Sequence, residues 1–253
     1  VEVEAPVAGG VQDIPFQEIS ATVKSVTLIN PEMALLHLQT PRSSRLRFLA
    51  GQYVNLRLAK SLMADLPIAS CPCDDRNILF HVRRMPGNLF SDYVFDRLKN
   101  NEMVEISGPE GEFILQERAA RPFYFFAFDT GFAPIKSLVE HAMSLEPDEG
   151  IHLYWVGSDE ESIYLPNIPR AWADALDNFH YTKLVAGHDL TQLTALREEA
   201  LLKLLQGILK DHPEIREGDI YIAGPEAASR LAESLFLDLG MPKTRVFLSY
   251  RSF

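Results

Sequence analysis

The chain has 253 residues, with 24 lysines and arginines against 35 aspartates and glutamates, and therefore a formal net charge of −11. This length is enough for one large domain or two ordinary ones with well-formed cores. The acidic balance makes nucleic acid and anionic membranes poor partners, and no apolar run approaches the about 20 residues that a membrane-spanning helix needs.

The first part of the chain is patterned as short antiparallel strands. Residues 1–15, "VEVEAPVAGGVQDIP", lack periodicity and predict a linker or loose arm. Within 16–118, runs such as "ISATVKSVTLI" and "GQYVNLRL" are separated by Gly, Pro and Asn, which indicates an antiparallel barrel or sandwich. We expect an antiparallel β-barrel domain of six strands. One helix interrupts it in "NLFSDYVFDRL", with Leu89, Tyr93 and Leu98 on or near one face.

Residues 119–253 alternate between strands and helices, which predicts an α/β domain with a parallel sheet of five strands. The longest helix is predicted to follow Asp189, because Asp189 and Gln192 stand at capping-box spacing. Its predicted apolar face consists of Leu193, Leu196, Ala200, Leu204 and Ile208.

Two turns in this second domain are candidate ligand sites, because parallel sheets bind ligands at the carboxyl ends of their strands. In "FDTGFAP", Thr130 offers a hydroxyl, Gly131 allows close backbone approach, and Pro134 suits the start of a helix. In "AGPE", Gly224 and Pro225 form a wall without polar side chains. Each turn alone could equally be an ordinary strand-to-helix connection.

A third candidate lies in the barrel, in "HVRRMPGNLFSDYV". Arg83 and Arg84 end a strand, Gly87 belongs to a turn, and a helix begins between Asn88 and Ser91. Helix-start amides, a hydroxyl and two guanidinium groups suit a pyrophosphate. The alternative is a capped helix beside two solvated arginines.

The order of these motifs resembles that of the ferredoxin–NADP reductase-like flavoproteins, closest in pattern to reductases of oxygenases and CDP-6-deoxyglucoseen reductases. The resemblance covers the chain from Ser20 to Phe253, through "LRFLAGQYVNL", "HVRRMPGNLFSDYVF", "ISGPEGEFIL", "AFDTGFAPIKSL" and "DIYIAGPEAA". It implies a flavin-type barrel at 16–118 and a dinucleotide-binding-type domain at 119–253. The positions at which it implies cofactor contacts are Ile68, Ser70, Arg83, Arg84, Gly87, Asn88, Ser91, Thr130, Gly131, Pro134, Gly224, Pro225 and the aromatic Phe253, with Tyr250 as the other candidate for that ring.

The resemblance also implies function. Relatives take a hydride from NAD(P)H onto FAD and pass electrons to an iron–sulfur or oxygenase partner. In those relatives a ferredoxin-type iron–sulfur domain precedes the barrel, and "VEVEAPVAGG" resembles such a junction. We therefore expect this chain to be the reductase half of a longer protein.

The sequence departs from the family at the flavin signature Arg-x-Tyr-Ser. Its positions fall on Ala64, Asp65, Leu66 and Pro67. Ala64 removes a charge-assisted contact to the flavin phosphates, Leu66 covers a flavin ring less well than tyrosine, and Pro67 has no N–H to donate. Each change lowers affinity by about tenfold or more.

Further departures affect both phosphate sites. Asn88 stands where a glycine is typical, and Phe128 and Asp129 replace two glycines, so that a carboxylate opposes the dinucleotide phosphates and a phenyl ring occupies their space. The acidic run 159–161 disfavours a 2′-phosphate, which predicts NADH rather than NADPH.

Two functions remain open at this point: a ferredoxin reductase-like oxidoreductase with weakened FAD and NADH sites, or a flavin-less paralogue that keeps the fold as a binding or scaffold subunit. No catalytic residue is predicted. Cys71 and Cys73 are too few for a disulfide framework or a four-ligand metal site, which suits a cytoplasmic protein without a metal. The scattered histidines are predicted to be surface or packing residues: His81, His141, His152, His180, His188 and His212.

Overall fold

The computed structural model describes residues 14–59, 61–116, 121–147 and 149–250. Nearly all of the predicted arm at 1–15 and the predicted aromatic Phe253 lie outside these residues. Across the described chain, no helix combines the length and the apolar character needed to cross a membrane.

The first sheet has six antiparallel strands and forms an open barrel. Its strand order is β4-β3-β6-β1-β2-β5, and the edges β4 and β5 approach where the Ala69 N–H donates to the Leu79 carbonyl at 2.8 Å. The strands are β1 (Gln17–Asn30), β2 (Met33–Gln39), β3 (Tyr53–Ala59), β4 (Leu62–Pro67), β5 (Asn77–Arg83) and β6 (Met103–Glu110).

Alternation of apolar and polar residues explains these strands. Along β2, Ala34, Leu36 and Leu38 are fully buried while the residues between them are partly exposed. Helix α1 (Leu89–Asp96) closes one end of the barrel with Phe90 and Val94. Leu89, predicted on the buried face, is 72% exposed because the helix begins there and its first residue projects outward.

The second sheet has five parallel strands in the order β11-β10-β7-β8-β9. These are β7 (Phe123–Phe128), β8 (Ile151–Gly157), β9 (Phe179–Val185), β10 (Asp219–Ala223) and β11 (Val246–Ser249). Helices cover it: α2 (Phe132–Ser144), α3 (Asn167–Ala175), α4 (Ala195–Asp211) and α5 (Glu226–Asp238). Every residue of "FYFFAF" in β7 is buried, as expected for a central strand covered on both faces.

The prediction for the longest helix was wrong at its start and in part of its buried face, although Ile208 is buried as predicted. Asp189 Oδ1 accepts hydrogen bonds from the Thr191 N–H and hydroxyl, a local turn that replaces the capping box. The helix begins only at Ala195, and Leu196 is 77% exposed. The residues of α4 that are buried are Leu201, Leu205, Ile208 and Leu209.

Helix α2 joins the two sheets. The Lys136 ammonium donates to the Ala69 carbonyl at 3.1 Å, and the Ser137 hydroxyl donates to the Ser70 carbonyl at 2.7 Å. Both acceptors directly follow β4. The start of α2 and the turn after β7 therefore lie at the mouth of the barrel.

The two cysteines are paired as a disulfide in the turn between β4 and β5. Their spacing brings the Cα atoms of Cys71 and Cys73 to 5.2 Å, within the range that a bridge requires. The pair is a single short bridge, so it adds no framework to the fold.

Two glycines beside helices allow a test of backbone conformation alone. A Cβ at Gly207, inside α4, or at Gly240, after α5, would meet no atom within 4 Å, but Gly240 has φ +84°. Gly207→Ala should raise the free energy of unfolding by about 0.5–1 kcal/mol, because alanine favours a helix interior. Gly240→Ala should lower it by about 1–2 kcal/mol, because L-residues disfavour positive φ. Urea unfolding measures both, and equal effects would contradict this interpretation.

Candidate functional site

The turns that follow β7 and β10 pack directly against each other. A Cβ at Gly131 would collide with the Ala223 carbonyl, and a Cβ at Gly224, where φ is +147°, would lie 2.5 Å from the Phe128 carbonyl. Both predicted glycines are therefore required by contact between the two turns. Pro225, next along the chain, is the N-cap residue of α5.

Asp129 bridges the turns after β7 and β8. Its side chain is buried and accepts hydrogen bonds from the Ser158 N–H at 2.6 Å and the Ser158 hydroxyl at 2.7 Å. Its carbonyl accepts from the Trp155 indole N–H at 3.0 Å, and its φ of +47° lies in the left-handed region. Burial raises the pKa of Asp129, and the two Ser158 hydrogen bonds oppose that rise.

The prediction that the Phe128 ring fills the nucleotide crevice was wrong. Phe128 follows Phe126 at strand spacing, so both rings point to the same face of the sheet. There they belong to the core cluster that includes Leu205 of α4 and Phe236 of α5. Asp129, the next residue, instead has a buried side chain that lines the cleft beside this turn.

A small acidic cleft lies between this turn and the barrel. Its volume is about 40 Å³, and Thr130, predicted as a hydroxyl contact, is among its lining residues. Arg83 reaches into the cleft, 3.5 Å from the Glu32 carboxylate. The acidic residues that line it are Glu32, Asp129, Asp159 and Glu161. Four carboxylates against one guanidinium disfavour a pyrophosphate there.

The first turn of α2 is packed into the junction between the sheets. Pro134 is buried, and the Phe132 ring stacks on Trp155 with centroids 3.8 Å apart. Tyr164 donates or accepts a hydrogen bond with His81 Nδ1 of β5 at 2.8 Å, which links the two sheets. Burial and the nearby Lys136 lower the pKa of His81 to about 3, so this imidazole is neutral.

At the barrel helix, Asn88 uses the amides that were predicted for a pyrophosphate. Its Oδ1 accepts from the N–H groups of Phe90 and Ser91, each at 3.0 Å, as an N-cap residue does. The Ser91 hydroxyl is fully buried, lies 3.2 Å from the Met85 carbonyl and accepts from the Met85 N–H at 3.1 Å. Gly87, at φ +79°, supplies the left-handed turn.

Arg84 is held by the same helix. Its guanidinium lies 2.8 Å from Asp96 and 3.9 Å from Asp92, and it stands over the ring of Phe95 at 5.3 Å. A phosphate at this position would compete with two carboxylates for Arg84.

Strand β4 contributes alternate side chains to the barrel core. Ala64 is 7% exposed and Leu66 is fully buried, and both belong to the same core cluster as Phe90. The Ile68 N–H donates to the Gln52 carbonyl at 3.0 Å. The Ser70 hydroxyl accepts from the Leu79 N–H at 3.2 Å, so both predicted groups have partners within the protein.

Several groups that were predicted to contact a flavin or a dinucleotide have partners within the protein. The helix-start amides, the arginines and the strand that the family uses are each engaged by the protein itself. Within the described residues, no group of three or more His, Cys, Asp or Glu side chains could hold a metal ion. The sequence reasoning missed Ser158 and the His81–Tyr164 link, because in each case the partners lie on separate strands or loops.

A larger groove lies between the barrel and β11. It has a volume of about 350 Å³ and is lined in part by Pro67, Phe247 and Tyr250. Tyr250 stands over the Arg230 guanidinium at 4.7 Å and is 46% exposed. Of the two C-terminal aromatic candidates, only Tyr250 is described.

Comparison with known proteins gives a consistent result. An oxidoreductase FAD-binding domain model matches residues 20–114, and an oxidoreductase NAD-binding domain model matches residues 128–233. The chain is 31% identical over 223 residues to the CDP-6-deoxy-L-threo-D-glycero-4-hexulose-3-dehydrase reductase of Yersinia pestis, covering 88% of this chain and 65% of that protein. It is 30% identical over 227 residues to terephthalate 1,2-dioxygenase reductase component 2 of Comamonas, covering 89% and 66%.

Solved structures confirm the predicted fold class. The Amycolatopsis cytochrome P450 reductase GcoB superimposes with a TM-score of 0.78 at 24% identity, covering 92% of this chain and 69% of that one. A ferredoxin NADP+ reductase from Neisseria gonorrhoeae with bound FAD and NADP gives 0.70 at 15% identity, covering 89% and 92%. The chain spans about two thirds of the length of the Yersinia reductase.

Asp129 and Asp159 should respond to pH with opposite signs. The pKa of Asp129 is raised in the folded protein, so the free energy of unfolding decreases as pH rises and this carboxyl group ionises. Asp129→Asn cannot ionise and should remove that decrease. The Ser162 hydrogen bond lowers the pKa of Asp159, so the stability that its ionised form contributes is lost as pH falls through that pKa. Asp159→Asn should remove this contribution at neutral pH.

Urea unfolding at about pH 4 and pH 7 measures both effects, and the effect at Asp159 should be the smaller because that side chain is exposed and screened by solvent. The difference in unfolding free energy between Asp129→Asn and the unaltered protein should favour the variant more at pH 7 than at pH 4. For Asp159→Asn the same difference should favour the variant less at pH 7 than at pH 4. Shifts of the same sign in the two variants would contradict the assignment.

Proposed function

Because the chain belongs to the ferredoxin reductase-like family of oxidoreductases, we propose that it is the reductase-type module of an electron-transfer system, with weakened flavin and nicotinamide sites. The two domain matches support FAD and a nicotinamide nucleotide as its ligand class. In this proposal 16–118 is the flavin-type domain and 119–253 the dinucleotide-binding-type domain.

The proposed partner is an iron–sulfur domain or protein, or an oxygenase, on the same polypeptide or on another. The names of relatives support this class, since one is a reductase of a hexulose dehydrase and another a reductase component of a dioxygenase. FAD in such a module would accept a hydride and release electrons singly. The residues of this chain would contribute binding and orientation through the backbone after β4 and the turn after β7.

The proposed weakening of the flavin site rests mainly on Asn88. The amides of Phe90 and Ser91 are the donors at the start of α1, and Asn88 Oδ1 already accepts from both. A flavin pyrophosphate would have to displace this cap. The loss of an arginine at Ala64 adds to the deficit, because no cation replaces it on β4.

We propose NADH as the preferred nucleotide. Asp159 and Glu161 line the acidic cleft, and Glu160 is paired with Lys183, which leaves that lysine less free to meet an anion. A 2′-phosphate would meet this acidic run, whereas the ribose of NADH would add no further charge.

A second candidate is the flavin-less binding or scaffold subunit. The burial of Leu66 favours it, because the side chain that would cover a flavin ring is instead part of the barrel core. The same holds for Ala64. In this use of the fold the protein would dock to partners of the electron-transfer system without binding flavin.

Flavin titration of the purified protein separates the two candidates. Weakened sites predict saturable FAD binding that does not survive purification, with a dissociation constant at least about a thousandfold above that of a nanomolar flavoprotein, for three lost contacts of about 1.4 kcal/mol each. The absence of saturable binding of FAD or FMN would overturn the reductase candidate and leave the scaffold candidate. Stoichiometric flavin retained through purification would contradict weakened sites.

Asn88→Gly tests the cap directly. It should tighten FAD binding by about tenfold because two amides become available, and it should lower stability by only a few tenths of a kcal/mol, roughly. Asn101→Gly is the matched control, since Asn101 has φ +69° and lies in the loop between α1 and β6, after the end of the helix. FAD affinity is measured by fluorescence titration. An unchanged affinity in Asn88→Gly would show that the Asn88 cap is not the cause of weak FAD binding.

A further inference from the structure

The Cys71–Cys73 disulfide lies at the junction between the two sheets. It follows Ala69 and Ser70, whose carbonyls accept from Lys136 and Ser137 of α2. The turn it closes continues at once into β5. No feature of the proposed cofactor sites uses either sulfur atom.

A role in global stability does not explain this bridge. Disulfides stabilise mainly by restricting the unfolded chain, and the effect grows with the length of the closed loop. Cys71 and Cys73 are separated by Pro72 alone, so the loop is among the shortest possible. Proline already restricts the backbone at its centre. The bridge therefore removes few conformations from the unfolded state.

The bridge is open to attack from one side. Cys73 is exposed, whereas Cys71 is 7% exposed. Both line a cleft of about 470 Å³ between the β4–β5 turn and α2, which Glu140 and Met143 line from the helix side. A thiolate entering this cleft reaches the Cys73 sulfur first. Exposed disulfides are the ones that exchange readily.

The turn also transmits its conformation to the junction. The Cys73 N–H points to the Cys71 sulfur at 3.3 Å, and the Asp74 N–H donates to the Cys71 carbonyl at 3.2 Å. Ser70, one residue before the bridge, accepts from the Leu79 N–H and from Ser137. Opening the bridge would free this turn next to both acceptors of α2.

We propose that Cys71–Cys73 is a thiol–disulfide exchange site that controls how firmly α2 is held against the barrel. The reductant is a dithiol. One of its thiolates attacks the Cys73 sulfur and forms a mixed disulfide, while Cys71 leaves as a thiolate and takes up a proton. The second thiol of the reductant then displaces Cys73, which is also protonated. Two electrons pass to the cysteines, and the dithiol becomes a disulfide.

Redox titration with peptide mapping tests the exchange. The purified full-length protein is equilibrated with reduced and oxidised dithiothreitol at several ratios, and its free thiols are then alkylated. After digestion, the mass of the peptide that contains both cysteines is measured by mass spectrometry. Cys71 and Cys73 should gain label together, in one two-electron transition. Two independently labelled thiols, or a pair that remains reduced in excess oxidised dithiothreitol, would overturn the proposal.

Hydrogen exchange tests the control of α2. In the reduced protein, amides of 69–79 and of α2 should exchange at least about threefold faster, while those of β7 should not change. The double variant C71S/C73S should match the reduced protein under oxidising conditions. The two redox states of the unaltered protein provide the same comparison if the variant does not fold. Equal exchange in both states would show that the bridge has no effect on the junction.

Discussion

Helix α2 holds the parallel sheet against the barrel and so sets the position of the candidate site in the turn after β7. Its Lys136 is 6% exposed, and a buried ammonium is stable only when its donors are engaged. The Ala69 carbonyl and the Glu140 carboxylate provide that engagement, at 3.1 Å and 2.6 Å. Because Ala69 belongs to the barrel, the charge of Lys136 binds the parallel sheet to the end of β4. The turn after β7 is thereby fixed at the barrel mouth.

Local signals in the sequence were sufficient for the architecture and insufficient for the site. Alternating apolar residues and strand–helix alternation predict both sheets, since burial on one face or both follows from periodicity. The start of α4 could not be read in the same way, because Asp189 can cap a helix or form a turn with Thr191, and the chain adopts the turn. The partner of Asp129 was also hidden, since Ser158 is brought to it only by the pairing of β7 with β8.

Glycines in a nucleotide-type motif are ambiguous for a physical reason. Gly131 and Gly224 let two turns of this protein touch, so their presence is explained without a ligand. Positions at which a residue typical of the family is replaced are more informative, because the structure must accommodate the new side chain by packing or by hydrogen bonds. Asn88 caps α1 and Leu66 enters the barrel core, so each substitution has an internal use. The departures from the family at these two positions are therefore accommodated by the packing and hydrogen bonding of this chain.

Asp129 shows most directly that the altered turn is specifically built. A non-glycine residue at positive φ costs about 1 kcal/mol or more, and burial of a carboxylate adds a desolvation penalty. Glycine, typical of this position, would avoid both penalties. The chain offsets them with two hydrogen bonds from Ser158 and one from Trp155 to the carbonyl. Those bonds join the end of β7 to β8 and to the turn that follows it. The internal attachment of the two strands is therefore what stabilises Asp129 in this unusual backbone conformation.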